Sequence, residues 1–404
     1  MKVLVTHPGI QHSHQLAIAL HARQRLGGFW SGVPVYDKSS NDEGIWAHFA
    51  SRLRDVPIPP HLRRHPAAFP LVNRLTYRLF RHSPFAVKMD DWLNSRFDLW
   101  VAHRLKAVHA DIVVCYETAA LATFTEAKKL GATTVLDAAS LHFLASDGES
   151  KDQRIRKINQ IKRQELQLAD FVITCSPLAA QSYVDGGVAR ARVFAVPLGA
   201  NNACRLRANV RRFGPCRFLF VGSIRVLKGV DLLLDAFQQI MDEGSSSTLT
   251  LVGDCADTTL RNRIDSMIGV QYLGRRSSKG VSETMALHDC LVMPSRHDGF
   301  GMVVAEALAV GLPVIVSDRA GASCVLADEP AAGILVSCDV DAIAAAMRRF
   351  ACDRDVLQLA SAAALRAASK YSWDAYGQRI NDVFDEISVR MATLQLTQIS
   401  PVRR

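Results

Sequence analysis

Two carboxylates, Asp298 and Glu306, lie eight positions apart in the stretch PSRHDGFGMVVAEALAVGLPVIVS, from Pro294 to Ser317. A Pro-Ser turn and a Gly-Phe-Gly loop come first, and the apolar segment Met302 to Val310 follows with Glu306 as its one charge. Gly311 and Pro313 end that segment, and Val314 to Ser317 reads as a short buried strand, so the order expected is loop, helix, turn, strand. A helix that opens directly out of a glycine loop presents unpaired backbone N–H groups and a partial positive charge to any phosphate nearby. The near absence of charge from Gly299 to Ser317 also resembles a weak membrane span by hydropathy. Gly311 and Pro313 would break such a span and Glu306 would be costly in lipid, so a buried helix followed by a buried strand is the expectation.

Two further loops carry residues suited to the same chemistry. The loop Gly222 to Gly229 (GSIRVLKG) has glycine at both ends, which lets the backbone approach a ligand, and its Arg225 and Lys228 can neutralise a diphosphate. Cations placed there help a reaction most where a leaving group gains negative charge. The loop Thr6 to His14 (THPGIQHSH) holds a tight turn at Pro8 and Gly9. Its His12 and His14 either hydrogen-bond a phosphate or sugar hydroxyl or are surface histidines at a helix start. No G-x-G-x-x-G is present, so no dinucleotide site is read here.

These loops need strands to hold them. From KVLVT at the N-terminus, strands DIVVCYE, TTVLDA, FVITCS and RVFAVPLG alternate with helical patterns at Ser13 to Arg25, Thr118 to Leu130 and Ser150 to Leu168. An Arg-rich connector, Ala200 to Pro215, precedes a restart of the rhythm: CRFLFVG, a helix from Val230 to Met241, LTLVG, VQYLG, DCLVMPS, PVIVS and GILVS. Strand and helix in this alternation predict an α/β chain of two Rossmann-like, doubly wound domains facing a cleft. The boundaries expected are 1–200 and 201–371, with 372–404 a terminal helix that returns to the first domain.

Composition bounds the partners. With 404 residues, two or three domains are expected, and 49% apolar with 22% charged residues is ordinary for a globular chain. Met1 leads directly into a strand without a leader pattern, so a cytoplasmic location is expected, peripheral at the inner face of the membrane if the basic region meets lipid. The nine cysteines form no C-x-x-C pair and read as reduced, mostly buried residues, neither disulfides nor metal ligands. The net charge is +9, and between Arg52 and Lys106 eleven Lys and Arg face four Asp. Apolar and aromatic residues interleave there, a mixture that suits an anionic membrane surface, an anionic acceptor, or simply a solvated basic face over a core helix. No nucleic-acid recognition motif accompanies it.

VGSIRVLKGVDLLLDAF, LTLVGD, VQYLG and PSRHDGFGMVVAEALAVGLPVIVSD, in this order and spacing, resemble the second domain of family 4 glycosyltransferases, which have the GT-B fold. PGIQHSHQLAIAL, ELQLADFVITCS, VFAVPLGAN and YSWDAY extend the resemblance over nearly the whole chain. It implies a hexosyltransferase class enzyme that takes a nucleotide diphosphate sugar as substrate, uses no cofactor or bound metal, and retains anomeric configuration in polysaccharide or glycolipid synthesis. Carried over by position, Glu306 would bind the ribose hydroxyls, and Asp298 with the backbone of Gly299, Phe300 and Gly301 would hold the donor sugar. Met302 and Val303 would offer amides to the diphosphate, Lys228 would pair with the same oxygens, and the base would lie near Tyr272, Leu273 and Gly274. The donor phosphate itself would receive the acceptor proton. Together with the loop readings, this assigns Asp298, Lys228 and Arg225 to the reaction, and Gly9, His12, Gly222 and Ser223 join the donor-binding set.

Three positions depart from the family pattern. Asp298 stands where Glu is usual, Ser223 where Arg is common, so that Arg225 would substitute, and Ser140 where a His often ends the strand, with His142 two residues on. Two other readings therefore stand beside transfer: a nucleotide-sugar epimerase of the same fold, with Glu117 recruited as an acid or base, and a non-catalytic nucleotide-sugar-binding subunit.

Overall fold

The computed structural model describes residues 1–36, 55–66, 83–145, 152–201 and 214–399, together with Phe69, Val72 and Thr76. The chain divides into two units, the first formed by Met1–Thr174, Tyr183–Val196 and Gly377–Arg404, the second by Cys175–Ser182 and Pro197–Tyr376. Of the basic region, Arg52, Arg54, Arg74, Arg78 and Arg81 lie outside the described residues, as does connector segment 202–213.

Most strands are short, largely apolar runs buried on both faces, as a parallel sheet covered by helices requires, and the strands at the sheet edges are more exposed. In the first unit the strands are β1 (Val3–His7), β2 (Leu26–Ser31), β3 (Arg63–Arg64), β4 (Ile112–Tyr116), β5 (Thr133–Ala138), β6 (Phe171–Thr174) and β7 (Val193–Ala195). They form one parallel sheet in the order β3-β2-β1-β4-β5-β6-β7. β2 was not expected from the sequence LGGFWS, because Gly27 and Gly28 dilute its β-propensity. Its Phe29 and Trp30 nevertheless pair with Val5 and Thr6 of β1 and are fully buried. β3, two arginines of the basic region, continues the sheet at its edge, where the Arg64 guanidinium lies 5.3 Å from the Trp30 ring centroid and Arg63 donates to the Val35 carbonyl at 3.1 Å.

The expected helices are present with trimmed ends: Ser13–Ala22, Leu121–Lys129 and Gln153–Leu168. The helix Leu121–Lys129 has no local side-chain cap; two distant carboxylates serve instead. Glu165 accepts from the amides of Thr118 and Ala120 at 2.8 and 2.9 Å, and Asp98 from those of Ala122 and Thr123 at 2.7 and 2.9 Å. Burial raises the Asp98 carboxyl and pushes Glu165 up to about 8. The last helix, Trp373–Ile399, meets the first helix of this unit through Asn381 and the residues just after it through Asp385. Asn381 donates to the Ala19 carbonyl at 3.1 Å, while Arg25 donates to the Asn381 carbonyl at 3.2 Å and to Asp385 at 2.5 Å.

The second unit contains β8 (Arg217–Val221), β9 (Thr248–Val252), β10 (Val270–Tyr272), β11 (Cys290–Met293), β12 (Val314–Ser317) and β13 (Gly333–Val336). They form a second parallel sheet in the order β10-β9-β8-β11-β12-β13. The helix Val230–Asp242 carries Val230, Leu233, Leu234, Phe237 and Ile240 on one face, the i, i+3, i+4, i+7 spacing of an amphipathic helix, and buries them with Phe218, Phe220, Leu249 and Leu251 of the sheet. The window Pro294 to Ser317 is loop, helix Met302–Ala309, turn at left-handed Gly311, and strand β12. Among the described residues no helix is long and apolar enough to cross a membrane. The eight described cysteines are free thiols, four of them buried.

Candidate functional site

In each sheet the strand order reverses once, between β1 and β4 in the first unit and between β8 and β11 in the second. Such reversals open a crevice at the carboxyl ends of the strands, where open α/β sheets take their ligands. In the second unit the two loops that leave this point are Gly222–Gly229, after β8, and Pro294–Gly301, after β11.

The loop after β11 is held by its carbonyls. Gly321 N–H donates to the Asp298 carbonyl at 3.0 Å, Ser176 Oγ to that of Gly299 at 2.6 Å, and Ala322 N–H to that of Phe300 at 2.6 Å. The Phe300 ring is buried and stacked on Tyr371. With the carbonyls occupied, the amides of Gly299, Phe300, Gly301, Met302 and Val303 donate to nothing among the described residues. No side chain caps the helix that starts at Met302. The turn into it requires Gly301, whose φ is 94° and where a Cβ would come within 2.2 Å of Met293 Cε. Five successive free N–H donors at a helix start form an anion-binding concavity strengthened by the helix dipole.

The loop after β8 brings a cation to the same place. Its 3-10 turn, Val226–Lys228, ends at left-handed Gly229, where a Cβ would lie 1.9 Å from the Pro294 carbonyl oxygen, so only glycine lets this turn abut the end of β11. Arg296 fastens the turn: its guanidinium forks onto Asp231 at 2.6 and 2.7 Å and donates to the Val226 carbonyl at 2.6 Å, while its own amide donates to the Leu227 carbonyl at 3.1 Å. Lys228 Nζ, so positioned, donates to Asp298 Oδ2 across 70 residues of sequence. Arg225 points its Nε at Ser223 Oγ, 3.0 Å away, on the exposed side of the loop, and Gly222 N–H donates to the Val252 carbonyl at 2.9 Å. The roles of Arg296, Asp231 and Ser176 were missed in the sequence, since each acts by fixing backbone that is remote in the chain.

Glu306 lies one helical turn beyond Met302, on the same face. Its side chain is exposed and has no hydrogen-bond partner among the described residues, while partial burial raises its carboxyl above the ordinary value. At the neighbouring strand ends the Tyr272 hydroxyl donates to the Gly253 carbonyl at 3.0 Å, and the Arg261 guanidinium lies 4.2 Å from its ring centroid. Leu273 N–H donates to the Leu251 carbonyl and the Gly274 carbonyl accepts from Gly253, so both are ladder residues at the sheet edge.

The first-unit candidates differ from the sequence expectation. His12 and His14 are buried, not surface residues, and His12 Nε2 is already engaged by Asp137 at 3.0 Å. Burial works against the charged ring, but the Asp137 carboxylate outweighs it and raises His12. Gly9 gives its amide to His7 Nδ1 at 2.8 Å, and His7, its ring tilted 43° to that of Tyr116 at 4.2 Å, is lowered by burial to about 3. Glu117, the acid or base of the epimerase reading, lies just after the end of β4. It is buried, with Lys162 Nζ at 2.9 Å and Ser140 Oγ donating to it at 2.6 Å. His142 is buried 5.1 Å from the Tyr183 ring. Among the described residues no group of three or more His, Cys, Asp or Glu could hold a metal ion.

Residues 215–353 match the family model described as Glycosyl transferases group 1. A D-inositol 3-phosphate glycosyltransferase of Streptomyces griseus is 27% identical over 181 residues, 41% of this chain and 38% of the relative. A glycogen synthase of Mycobacterium tuberculosis is 25% identical over 302 residues, 72% of this chain and 68% of the relative. The chain thus spans from about two fifths to about two thirds of the length of these two relatives. Among solved structures, sucrose-phosphate synthase from Thermosynechococcus elongatus superposes with a TM-score of 0.68 at 18% identity, covering 96% of this chain and 100% of the other. Anabaena HepE, solved in complex with UDP, superposes with a TM-score of 0.64 at 16% identity over the same shares. The fold is α/β of the GT-B type, and the sequence matches support a group 1 glycosyltransferase.

Proposed function

We propose that the chain transfers a hexosyl group from a nucleotide diphosphate sugar to an acceptor hydroxyl, as a retaining, metal-independent enzyme of the family 4 type. The observation that carries this reading is the run of five free amides from Gly299 to Val303, flanked by Lys228, Asp298 and Glu306. A diphosphate placed against those amides meets donors for its oxygens, and Lys228 exchanges Asp298 for phosphate. Glu306, open and unpartnered, takes the ribose hydroxyls; Asp298, released by Lys228, takes a hydroxyl of the donor sugar; and the base lies along Tyr272, Leu273 and Gly274. Gly222 and Ser223 keep the first loop close to the phosphates, with Arg225 as a second cation. That solved GT-B neighbours carry UDP, or UDP with glucose, supports a nucleotide sugar as donor.

The chemistry follows from charge. As the bond from the anomeric carbon to the phosphate oxygen breaks, negative charge grows on the diphosphate, where Lys228 and the amides stabilise it more than they stabilise the bound donor. The acceptor oxygen bonds to the anomeric carbon on the face the phosphate leaves, and its proton passes to the departing phosphate oxygen. No protein nucleophile or metal ion enters this scheme. The acceptor is a saccharide or lipid-linked saccharide.

Calorimetry on the Glu306→Gln variant tests the assignment. A carboxylate that accepts from ribose hydroxyls is worth about 1.5–3 kcal/mol, so donor affinity should fall by roughly 10- to 100-fold. Unchanged affinity would remove Glu306 from the site.

A further inference from the structure

The helix Pro84–Arg104 has 21 residues, about 31 Å of length, and its two faces differ sharply. One face is anchored: Leu93, Phe97 and Val101 are buried, and Asp98 beside them caps the helix Leu121–Lys129. The opposite face carries Phe85, Trp92 and Leu99 at intervals of seven, a spacing that returns to within about 20° of the same direction. These three are 48%, 51% and 37% exposed. Between and beside them at helical spacing stand Lys88, Ser95, Arg96 and His103, all exposed. The Arg96 guanidinium lies 6.0 Å from the Trp92 ring centroid.

No carboxylate of this helix stands in the stripe, and the described carboxylate beside its Leu99 end, Glu126, is paired with Lys106 at 3.4 Å and Lys129 at 3.2 Å. Asp91 lies on the flank of the stripe and is neutralised by Arg154 at 2.6 and 2.8 Å, Asp90 is displaced toward the anchored side, and Asp98 is buried. Single exposed apolar residues are ordinary on a protein surface, but an aligned stripe of three, one of them tryptophan, flanked by cations and by carboxylates already paired with Lys or Arg is not. Charge selects the occupant: such a face would leave cations unpaired against an apolar protein partner, whereas at a bilayer surface the rings enter the headgroup boundary while Lys88 and Arg96 meet lipid phosphates.

We infer that this face of the helix Pro84–Arg104 docks the protein on an anionic lipid surface. The helix lies flat in the interface, Phe85, Trp92 and Leu99 supply the apolar contact, and Lys88 and Arg96 supply selectivity for negative headgroups. The chain's net charge of +9 favours the approach. The inference does not depend on the donor site, and its test involves no nucleotide.

The full chain is sedimented with vesicles of phosphatidylcholine alone and of equal parts phosphatidylcholine and phosphatidylglycerol. The unmodified protein should pellet with the second and stay in solution with the first. Phe85→Ser with Trp92→Ser and Leu99→Ser, and separately Lys88→Glu with Arg96→Glu, should each lower the partition coefficient about tenfold or more while leaving the melting temperature within a degree or two, since the changed side chains are exposed. In case the triple variant fails to fold, Trp92→Phe provides an independent reading: brominated lipid should quench the unmodified protein's tryptophan emission and largely lose that effect in the variant. Absence of pelleting with anionic vesicles, equal pelleting with neutral ones, or variants that bind and are quenched like the parent would overturn the inference.

Discussion

Lys228 holds the carboxylate of Asp298, and in the proposed reaction the same ammonium would pair with the donor diphosphate instead. This competition separates the effects of two substitutions. Lys228→Met removes a charge-assisted contact to phosphate, so affinity for a nucleoside diphosphate should drop roughly 10- to 100-fold in calorimetry. Asp298→Asn frees the lysine, so affinity for the same nucleoside diphosphate should hold or rise a few-fold while turnover of the sugar nucleotide falls; weakened binding of the diphosphate would refute the exchange. Residue type and spacing made Asp298, Glu306 and the glycines legible in the sequence, because a glycine loop running into an apolar helix has few uses. The contact between Lys228 and Asp298 was not legible, since only the parallel pairing of β8 with β11 brings their loops side by side. Histidine type likewise said nothing about burial, and His12 turned out to be engaged with Asp137.

Backbone amides at helix starts are managed in opposite ways in the two units. The helix Leu121–Lys129 has four amides at its start taken by the buried Glu165 and Asp98, whereas the helix Met302–Ala309 leaves its first amides open. The first arrangement is structural and should make stability depend on pH. Glu165 is raised from about 4.5 to about 8 by burial, with no cation among the causes that act on it, so the folded state holds its proton more tightly than the unfolded chain does. Its contribution is therefore complete below pH 4.5 and is lost as pH rises through 8. Melting temperature should decline over that window, and Glu165→Gln, which cannot ionise, should flatten the decline; an unchanged slope would assign the dependence to another group. The second arrangement depends on Gly301 and Gly229. Gly229→Ala should destabilise the fold by about 2–4 kcal/mol in denaturant titration, because it adds a side chain at positive φ against the Pro294 carbonyl. Strands of this kind were read directly wherever an apolar run ended at glycine or proline, as in CRFLFVG and PVIVS. β2 escaped because two glycines replace the β-branched residues, and its place is fixed by tertiary burial of Phe29 and Trp30.

At the scale of the molecule, the alternation of strand and helix made both sheets and their parallel sense predictable, while strand order and the partners of the loops required the structure. The basic region was visible as composition alone; its described part resolves into an edge strand, Arg63–Arg64, and a helix with an apolar stripe beside which Asp91 and Glu126 are paired with Arg or Lys. In the proposed function this GT-B chain moves a sugar from a nucleotide diphosphate donor without a metal ion. Its most direct test is to incubate the protein with a panel of nucleotide sugars and saccharide or lipid-linked acceptors in the presence of EDTA, following nucleoside diphosphate release and the anomeric configuration of the product. Acceptor-dependent release from at least one donor is expected, insensitive to EDTA, with the donor's configuration kept and activity lost in Lys228→Met. Release that requires a divalent cation, a product of inverted configuration, or an isomerised donor without acceptor would contradict it.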